Sequence, residues 1–408
     1  MKNLDTAKIQ YIKPLPPESQ IEKILHKIIK PTYVLEAAKL RYNLEILDYV
    51  QKNSGAKILL ALKGFAFWSS FDLVAKYLKG ITASGIYEAR LGFEEFKKYN
   101  KNCEIAVFSP AFSKEEILEL LPISNHIIFN SFNQLMAFQS LLNGHSIDIG
   151  LRVNPLYSEV SPAIYNPCID GSRLGIIPSE FEKGLDLLSN VSGLHFHTHC
   201  EQNSDALQRT LMYFKKYFGK YIKNMKWVNF GGGHHITRSD YDVDLLIEII
   251  NDFRDEFDGI DVYLEPGEAI GWQTGSLVGE VRDIITNKYK IAITNLSAAA
   301  HMPDCLEMPY IPNIRGAKIT NLESSNNNFS YRLGASSCLA GDVIGDYEFE
   351  NELKIGDKII IEDMIHYTIV KNNTFNGIPL PSLAILRENG DFEIVREFAY
   401  EDYKLRNG

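Results

Sequence analysis

Short apolar runs separated by amphipathic stretches recur between residues 57 and 264 of the chain. The runs have the length of β-strands and are apolar on both faces, which is typical of strands buried in a parallel sheet. The intervals between them are long enough for helices, such as Phe71–Leu78, Glu116–Leu121 and Leu245–Phe257. We predict eight strands: Ile58–Leu62, Ile81–Ala83, Ile105–Phe108, Ile127–Phe129, Ile149–Val153, Leu194–His197, Trp227–Phe230 and Val262–Leu264.

This alternation of strands and helices predicts parallel βαβ units. Eight such units within residues 57–264 agree with the usual size of a (β/α)8 TIM-like barrel, so the predicted class is α/β. A doubly wound open sheet is the alternative. It is disfavoured because no GxGxxG sequence opens a helix after the first strand.

The pattern changes after Gly271, where helical periodicity is largely lost and turns rich in Asn, Gly and Pro become frequent. We interpret this part as an all-β domain, and Leu322–Phe329 as an exposed loop. Its predicted strands are Leu277–Ile285, Tyr289–Ile293, Lys358–Glu362, Tyr367–Val370 and Phe392–Arg396. The predicted organisation is an N-terminal extension (1–31), a barrel (32–272) that opens with a short strand at Thr32–Glu36, and a C-terminal β-domain (273–408). The N-terminal segment could contribute to that last domain.

Composition narrows the class of function. The 408 residues are 45% hydrophobic and 23% charged, as in ordinary globular enzymes, and the net charge of −10 argues against nucleic-acid binding. The five cysteines form no CxxC motif, so neither a disulfide framework nor a zinc site is indicated. No apolar run is long enough to cross a bilayer. We therefore expect a cytoplasmic enzyme with no nucleic-acid or membrane partner.

Residues that could take part in catalysis or binding follow the predicted strands. They would lie at the end of the barrel where active sites are found. A lysine that is desolvated there has a lowered pKa and can act as an amine nucleophile. The simpler interpretation is a lysine at a strand end whose ammonium group reaches into water. Three successive glycines let a backbone approach an anion closely. The strand-end residues are Lys63, Ser84, Ser109, Asn130, Arg152, Asn154, His197, Gly231, Gly232, Gly233 and Glu265.

An amine, a flat ring, an anion cradle and a carboxylate together suit pyridoxal 5'-phosphate. Lys63 supplies the amine, His197 the ring and Glu265 a carboxylate able to keep a heterocyclic nitrogen protonated. A metal site built from His195, His197 and His199 is the competing hypothesis, with a barrel hydrolase as the implied function. It leaves the lysine, the glycines and the carboxylate unexplained, so we predict no metal. We expect His195 to be a core or barrel-bottom histidine, and His199 to line a pocket.

These motifs resemble, in the same order along the chain, those of the fold-type III pyridoxal-phosphate decarboxylases. That family includes ornithine, arginine and diaminopimelate decarboxylases, with alanine racemase a more distant relative. The matching motifs are Ala-Leu-Lys63, His-Phe-His197, Gly231-Gly232-Gly233, Glu265-Pro266-Gly267, Ser336-Ser337-Cys338 with Asp342, and His366-Tyr367-Thr368.

The resemblance implies roles for these residues. Lys63 would bind the cofactor covalently, His197 would stack on its ring and Glu265 would pair with its pyridine nitrogen. The three glycines and Tyr367 would hold its phosphate. Cys338 would act from the β-domain of the second subunit, which implies a homodimer. A regulatory homologue without catalysis is disfavoured because the lysine, the histidine and the cysteine are all present.

Two departures from the family pattern concern the substrate. Glu268 stands where the family's Glu-Pro-Gly-Arg has arginine, and Cys338-Leu-Ala-Gly-Asp342 replaces the Cys-Glu-Ser-x-Asp of diaminopimelate decarboxylase. Further acids follow at Asp304 and Glu307. These features resemble the carboxynorspermidine (carboxyspermidine) decarboxylase branch, whose substrate carries a polyamine tail. Glu268, Asp304, Asp342 and Glu307 are the expected substrate-binding residues; a diaminopimelate or other basic amino-acid decarboxylase is the alternative.

Overall fold

The computed structural model describes residues 11–325 and 327–408, which fall into two compact units. The barrel unit comprises residues 11–16, 44–62 and 72–269, and the sheet unit comprises residues 17–43, 63–71 and 270–408. Residues 1–10 of the predicted extension lie outside the described residues, and its remainder is divided between the two units.

A closed barrel of eight parallel strands forms the barrel unit, in which each strand pairs with the next and the last pairs with the first. The eight predicted strands and the barrel fold are therefore confirmed. The strands are β2 (Lys57–Ala61), β3 (Gly80–Ala83), β4 (Glu104–Phe108), β5 (His126–Phe129), β6 (Asp148–Arg152), β7 (Gly193–His195), β8 (Trp227–Asn229) and β9 (Asp261–Leu264); β1 precedes them in the chain and is described with the sheet unit.

The interior of the barrel is filled by side chains from several of its strands. Trp227 is its largest member, and it packs with Leu59, Ala106, Ile128 and Tyr263. This indole fits because the facing strands carry glycine: an added Cβ would lie 2.5 Å from the ring at Gly150 and 2.1 Å from it at Gly193. The barrel is thus a packed core, and chemistry is confined to its ends.

Helices connect the barrel strands, and several begin at a capping residue readable in the sequence. Ser113 accepts a hydrogen bond from the Glu116 N–H (3.1 Å) and Glu116 accepts one from the Ser113 N–H (2.7 Å), forming a capping box. The helices of this part of the chain are α1 (Ala37–Ser54), α2 (Phe71–Val74), α3 (Ile86–Glu94), α4 (Lys114–Leu120), α5 (Phe132–Leu142), α6 (Pro178–Phe181), α7 (Ser204–Ile222), α8 (Val243–Glu256) and α9 (Glu268–Gly271).

Short helices complete the secondary structure. The remaining α-helices are α10 (Ala298–His301), α11 (Asp304–Glu307), α12 (Tyr367–Lys371) and α13 (Tyr400–Arg406). The 3₁₀ helices are Ile21–Lys27, Trp68–Ser70, Phe96–Lys98, Ala163–Tyr165, Glu182–Asn190 and Phe375–Gly377. Over residues 11–325 and 327–408, no helix has the length and apolar character needed to cross a bilayer.

A mixed sheet of nine strands forms the sheet unit, in the order β12-β14-β13-β11-β10-β1-β16-β17, with β15 also paired to β10. The strands are β1 (Thr32–Glu36), β10 (Gly275–Asn287), β11 (Tyr289–Thr294), β12 (Ala317–Ile319), β13 (Ser330–Gly334), β14 (Val343–Phe349), β15 (Lys358–Glu362), β16 (Ser382–Leu386) and β17 (Phe392–Arg396). Its core includes Ile21, Ile24 and Ile28, so N-terminal residues contribute to it.

Two expectations differ from this sheet. Thr32–Glu36 is a strand as predicted, but it pairs with β10 and β16 and so belongs to the mixed sheet, not to the barrel. Tyr367–Val370 was predicted as a strand from its β-branched residues, and it is helix α12. A preference for strand is a weak signal over four residues, and tertiary context overrides it here. Strands β12, β13, β14 and β16 were not predicted.

Candidate active site

Glu265, directly after β9, is held by two side chains of the barrel unit. His195 Nε2, at the last residue of β7, lies 3.1 Å from one carboxylate oxygen, and Asn229 Nδ2, at the last residue of β8, lies 2.7 Å from the other. Asn229 is oriented in turn, because its Oδ1 accepts a hydrogen bond from the Gly231 N–H (2.8 Å). We expected His195 to be a barrel-bottom or core histidine; it is buried in the core, but at the C-terminal end of the strands and not at the barrel bottom.

The ionised state of Glu265 depends on these contacts. The residue is 7% exposed, and burial alone would raise its pKa. The opposing charge of His195, with hydrogen bonds from His195, Asn229 and Thr82, outweighs burial and lowers the pKa to about 2. The sequence predicted a carboxylate able to face a protonated heterocyclic nitrogen, and the structure supplies one that stays charged at neutral pH.

The glycine turn after β8 is closely packed against neighbouring backbone. Gly231 and Gly233 have positive φ values (71° and 81°), and an added Cβ would lie 2.4 Å from the Phe196 carbonyl oxygen and 2.1 Å from the His199 carbonyl oxygen respectively. At Gly232 an added Cβ would lie 2.4 Å from the backbone oxygen of Glu265. Side chains are excluded from all three positions, so glycine is required here.

His197 is fixed by this turn. The Gly232 N–H donates to its Nδ1 (2.8 Å), so the neutral ring carries its proton on Nε2. The N–H groups of Gly231 and Gly232 are both used inside the barrel unit, whereas the sequence had suggested that three N–H groups point at an anion.

A buried guanidinium lies at the end of β6. Arg152 is 6% exposed, lies 4.5 Å from the centre of the Phe108 ring, and donates to the His197 carbonyl oxygen (3.3 Å). Burial lowers the pKa of Arg152 to about 10, although the charge of Glu265 acts in the opposite direction. The side chain remains a cation at neutral pH and adds positive potential around Glu265.

Glu268 belongs to a second group of titratable side chains, which the sequence did not reveal. One ligand atom from each of Glu201, His235 and Glu268 lies within 4.8 Å of the other two. Glu201 has a left-handed backbone conformation (φ 55°), and Glu268 is the first residue of α9. Two carboxylates and an imidazole at this spacing suit a cation, either a metal ion or an ammonium group.

The three alternating histidines do not make the metal site that we weighed as an alternative. His195 contacts Glu265, His197 accepts from Gly232, and His199 Nδ1 pairs with the Gln202 side-chain oxygen at 2.9 Å. In the described part of the chain, only Glu201, His235 and Glu268 form a group of metal-ligand size.

Lys63 and the downstream motifs belong to the sheet unit. Lys63 follows β2 by two residues and is exposed, in contrast to the desolvated amine that we expected. Cys338, between β13 and β14, is also exposed, and its N–H donates to Asn376 Oδ1 (3.2 Å). Tyr367 is half-buried at the start of α12.

Asp342 supports the Cys338 loop through contacts that engage both of its oxygens. One oxygen accepts from the Ser297 hydroxyl (2.6 Å) and from the Ser337 hydroxyl, and the other accepts from the Ala299 N–H (3.0 Å). Its side chain is buried. These contacts argue for a supporting role and against the direct substrate contact that we predicted.

Asp304 presents a different arrangement. Its Oδ2 accepts from the Tyr310 hydroxyl (2.9 Å) and the Thr368 hydroxyl (3.2 Å). Its Oδ1 is buried and has no hydrogen-bond partner within the described residues. Glu307, the other predicted acid of α11, pairs with Lys371 at 2.5 Å. Asp304 is thus an anchored, buried carboxylate with one oxygen unpaired within the described residues, whereas Glu307 already has a cationic partner.

A comparison with protein-family models gave no match. A carboxynorspermidine/carboxyspermidine decarboxylase of Campylobacter jejuni is 50% identical over 388 residues, which are 93% of this chain and 99% of that protein. This chain belongs to the carboxynorspermidine/carboxyspermidine decarboxylase family. A carboxyaminopropylagmatine decarboxylase of Synechocystis is 42% identical over 385 residues, 94% of this chain and 97% of that protein.

The fold of the decarboxylase family is the one described above. The crystal structure of carboxynorspermidine decarboxylase from Campylobacter jejuni, complexed with norspermidine, superimposes with a TM-score of 0.85 at 49% identity. The match covers 93% of this chain and all of that one (100%). The resemblance, the barrel-plus-β-domain fold and the assignment to an enzyme, a carboxy-lyase, are confirmed, and the barrel hydrolase is set aside.

Several contacts around the candidate site residues were not predicted from the sequence. His195 could have been identified, since it lies two positions before His197 and therefore on the same face of β7. Asn229 and Glu201 are adjacent to predicted motifs, but no sequence pattern identifies them as site residues. Tyr310 and Thr368 reach Asp304 from separate segments, and only the folded chain brings them together.

Proposed function

We propose that this chain decarboxylates carboxynorspermidine and carboxyspermidine to norspermidine and spermidine, with pyridoxal 5'-phosphate as its cofactor. The observation that carries the proposal is the 50% identity, over nearly the full length of both chains, to a decarboxylase named for these two substrates. Norspermidine, the bound ligand of the 49% identical structure, is the product expected from the first of them.

The residues present fit the proposed cofactor. Glu265 is held ionised, and Asn229 links it to the glycine turn after β8, where neighbouring backbone leaves no room for a side chain. When bound, the cofactor supplies an electron-withdrawing ring that accepts the electron pair left behind as carbon dioxide departs.

The protein's own groups would hold the cofactor. Lys63 would bind it covalently through Nζ, and Glu265 would accept a hydrogen bond from its pyridine nitrogen. His197, whose ring is oriented by Gly232, would lie against the cofactor ring. Because the Gly231 and Gly232 N–H groups are already engaged, Gly233 and Tyr367 would contribute most to phosphate binding.

Acidic side chains would bind the polyamine tail. Glu268 lies close to Glu201, so the carboxylate that replaces the family's arginine is reinforced by a second one. Asp304 offers the free acceptor Oδ1 to an ammonium group. Charge-assisted hydrogen bonds of this kind are about twice as strong as neutral ones. Glu307 would have to release Lys371 before it could take part.

The test is a comparison of kcat/KM for the purified enzyme with added cofactor. The panel contains carboxynorspermidine, carboxyspermidine, carboxyaminopropylagmatine, diaminopimelate, ornithine, lysine and arginine. We expect the two carboxy-polyamines to be turned over far better than the four amino acids. Efficient turnover of diaminopimelate with none of the carboxy-polyamines would overturn the proposal. A preference for carboxyaminopropylagmatine would place the chain with its 42% identical relative instead.

The covalent role of Lys63 has a direct test. Reduction of the holoenzyme with borohydride should fix the cofactor to a peptide that contains Lys63, and Lys63→Ala should lose both the label and the activity. Label on another lysine would contradict the assignment.

We also propose that the enzyme acts in the cytoplasm as a homodimer whose sites use Cys338 of the partner subunit, as the family resemblance implies. Cys338 Sγ would then return a proton to the carbon that lost its carboxylate. Lys63→Ala and Cys338→Ala are each expected to be inactive, and mixing them with subunit exchange should restore part of the activity. The double variant is the control, and no recovery despite proven exchange would reject the shared site.

A further inference from the structure

The contact between His195 and Glu265 has no role in the mechanism described so far. His195 is 2% exposed and Glu265 is 7% exposed, and the distance between Nε2 and Oε2 is 3.1 Å. We propose that His195 is a positioning residue that donates its Nε2 proton to Glu265, keeping this carboxylate ionised and aimed for the cofactor nitrogen. This inference rests on the proposed function for the identity of the cofactor.

The position of the proton follows from the acceptor. An ionised carboxylate can only accept hydrogen bonds, so His195 Nε2 must carry a proton in this contact. The His195 ring stacks on Phe108, with ring centres 5.7 Å apart and an angle of 24° between the planes. That packing fixes the direction of the donated bond. The second oxygen of Glu265 is oriented by Asn229, so neither oxygen is free to rotate away.

Three other groups contribute to the electrostatic environment of Glu265. Arg152, from β6, is buried and cationic but makes its described hydrogen bond to a backbone carbonyl. His234, after β8, has a pKa lowered to about 3 by burial, so it is neutral at pH 7. Thr82, from β3, adds a neutral hydrogen bond. His195 is therefore the titratable group in hydrogen-bond contact with the carboxylate.

A second histidine–glutamate pair in the same barrel provides a matched control. His126 Nε2, at the first residue of β5, lies 2.8 Å from an oxygen of Glu104, at the first residue of β4. His126 is 5% exposed, so the two histidines are similarly buried. Since the strands are parallel, this pair lies at the opposite end of the barrel from His195 and Glu265.

Two substitutions separate the donated proton from the shape of the ring. His195→Gln can keep a neutral donor near the place of Nε2, whereas His195→Phe keeps a ring against Phe108 and removes the donor. His126→Phe is the control, and the melting temperature and circular dichroism of each variant report whether it folds. If His195→Phe is unfolded, His195→Gln still removes the titratable ring and carries the test.

The first measurement needs no cofactor. Protein labelled with ¹³C at glutamate carboxyls is titrated by NMR, with Glu265→Gln used to assign the Glu265 signal. In the parent protein we expect this signal to stay ionised to the lowest pH at which the fold persists. His195→Phe should raise the pKa of Glu265 by about 1–3 units, and His195→Gln by less, while His126→Phe should leave it unchanged.

The second measurement uses the holoenzyme. We expect His195→Phe to change the visible spectrum of the bound cofactor and to lower kcat by about 10–100-fold, by analogy with the loss of hydrogen-bond partners that orient metal ligands. KM should change little, and His195→Gln should recover part of the loss.

The outcomes distinguish the two proposals. A Glu265 titration that is the same in the parent and in both His195 variants overturns the role of His195, whether or not the protein is a decarboxylase. A shifted titration in a protein that neither binds the cofactor nor releases carbon dioxide supports the His195–Glu265 coupling and rejects the proposed function.

Discussion

The two ends of the barrel each carry a buried histidine bonded to a glutamate, yet the surroundings of the two pairs differ. At the strand starts, Glu104 also pairs with Lys57 (3.0 Å) and accepts from the Tyr263 hydroxyl (2.6 Å). At the strand ends, Glu265 is hydrogen-bonded to the neutral side chain of Asn229 and has no lysine in contact among its described bonds. The first pair belongs to a network that includes a lysine, whereas the positive potential at the second comes from His195 and the buried Arg152.

The difference indicates what each pair does. Lys57 bridges to Asp261 as well (3.0 Å), so strands β2, β4, β5 and β9 are joined across the start of the barrel, which is a stabilising arrangement. Glu265 is buried and its pKa is lowered to about 2, and strongly perturbed pKa values cluster at functional sites. The same pair of residue types therefore stabilises one end of the barrel, and we propose that it serves the reaction at the other.

The largest expected effect is a loss of kcat when one of the two carboxylates is replaced. Glu265→Gln removes the charge that would face the cofactor nitrogen, and we expect kcat to fall by about 10²–10³-fold, as when a preorganised electrostatic group is lost. Glu104→Gln is the matched change at the other end and should leave kcat within about threefold. Steady-state kinetics on both variants make the comparison. Comparable losses of kcat would mean that the two ends do not have separate roles.

A smaller effect is expected three residues beyond Glu265. Glu268→Gln should raise KM for carboxynorspermidine about 10–100-fold with little change in kcat, because the charge of the tail is the same before and during reaction. Glu256→Gln, on the exposed face of α8, is the control, since Glu256 pairs only with Lys215 in its described contacts. A change in kcat without a change in KM would assign Glu268 to the reaction itself.

The network at the strand starts should appear in the pH dependence of stability. Burial alone would raise the pKa of Glu104, but hydrogen bonds from His126, Tyr263 and Lys57, with the charge of Lys57, lower it to about 2. The ordinary value is 4.5, so the contribution of Glu104 is complete above pH 4.5 and is lost as pH falls toward 2.

The Glu104→Gln variant measures that contribution. At pH 7 we expect it to unfold with a free energy lower by about 1–3 kcal/mol, because hydrogen bonds to a charged group are lost. The deficit should shrink as pH falls from 4.5 to 2, when the parent carboxylate takes up its proton. Denaturant melts at pH 7, 5, 4 and 3 check this, and a deficit that does not vary with pH would show that charge is not its cause.

The smallest effect is expected from an ion pair on the barrel surface. Arg90 and Glu94 on α3 lie 3.0 Å apart, and each side chain is 53% exposed. Arg90→Ala should change the free energy of unfolding by no more than about 0.5 kcal/mol, because water screens such pairs. A cost as large as that of Glu104→Gln would show that pairing alone, and not burial, stabilises the barrel.

The sequence by itself determined the barrel, and it also led to the residues that we propose for the cofactor site. Buried parallel strands are continuous apolar runs, so each strand can be recognised from its own residues. All eight predicted strands are present in the barrel. The residues that follow them share one end of the barrel because the strands are parallel. Lys63, His197, the glycine turn and Glu265 could therefore be grouped from their positions along the chain alone.

Only the tertiary structure decided the rest, because it depends on contacts between distant segments. Strand β1 has the pattern of a barrel strand, but it pairs with β10 and β16, which lie more than two hundred residues later in the chain. His195 has the pattern of a core residue, and its role depends on Glu265, seventy positions later. Asp304 and Asp342 are both buried acids, and only the folded chain shows that Asp342 has donors to both oxygens whereas Asp304 Oδ1 has none among the described residues. Periodicity encodes which face of an element is buried, but it does not encode which partner lies opposite.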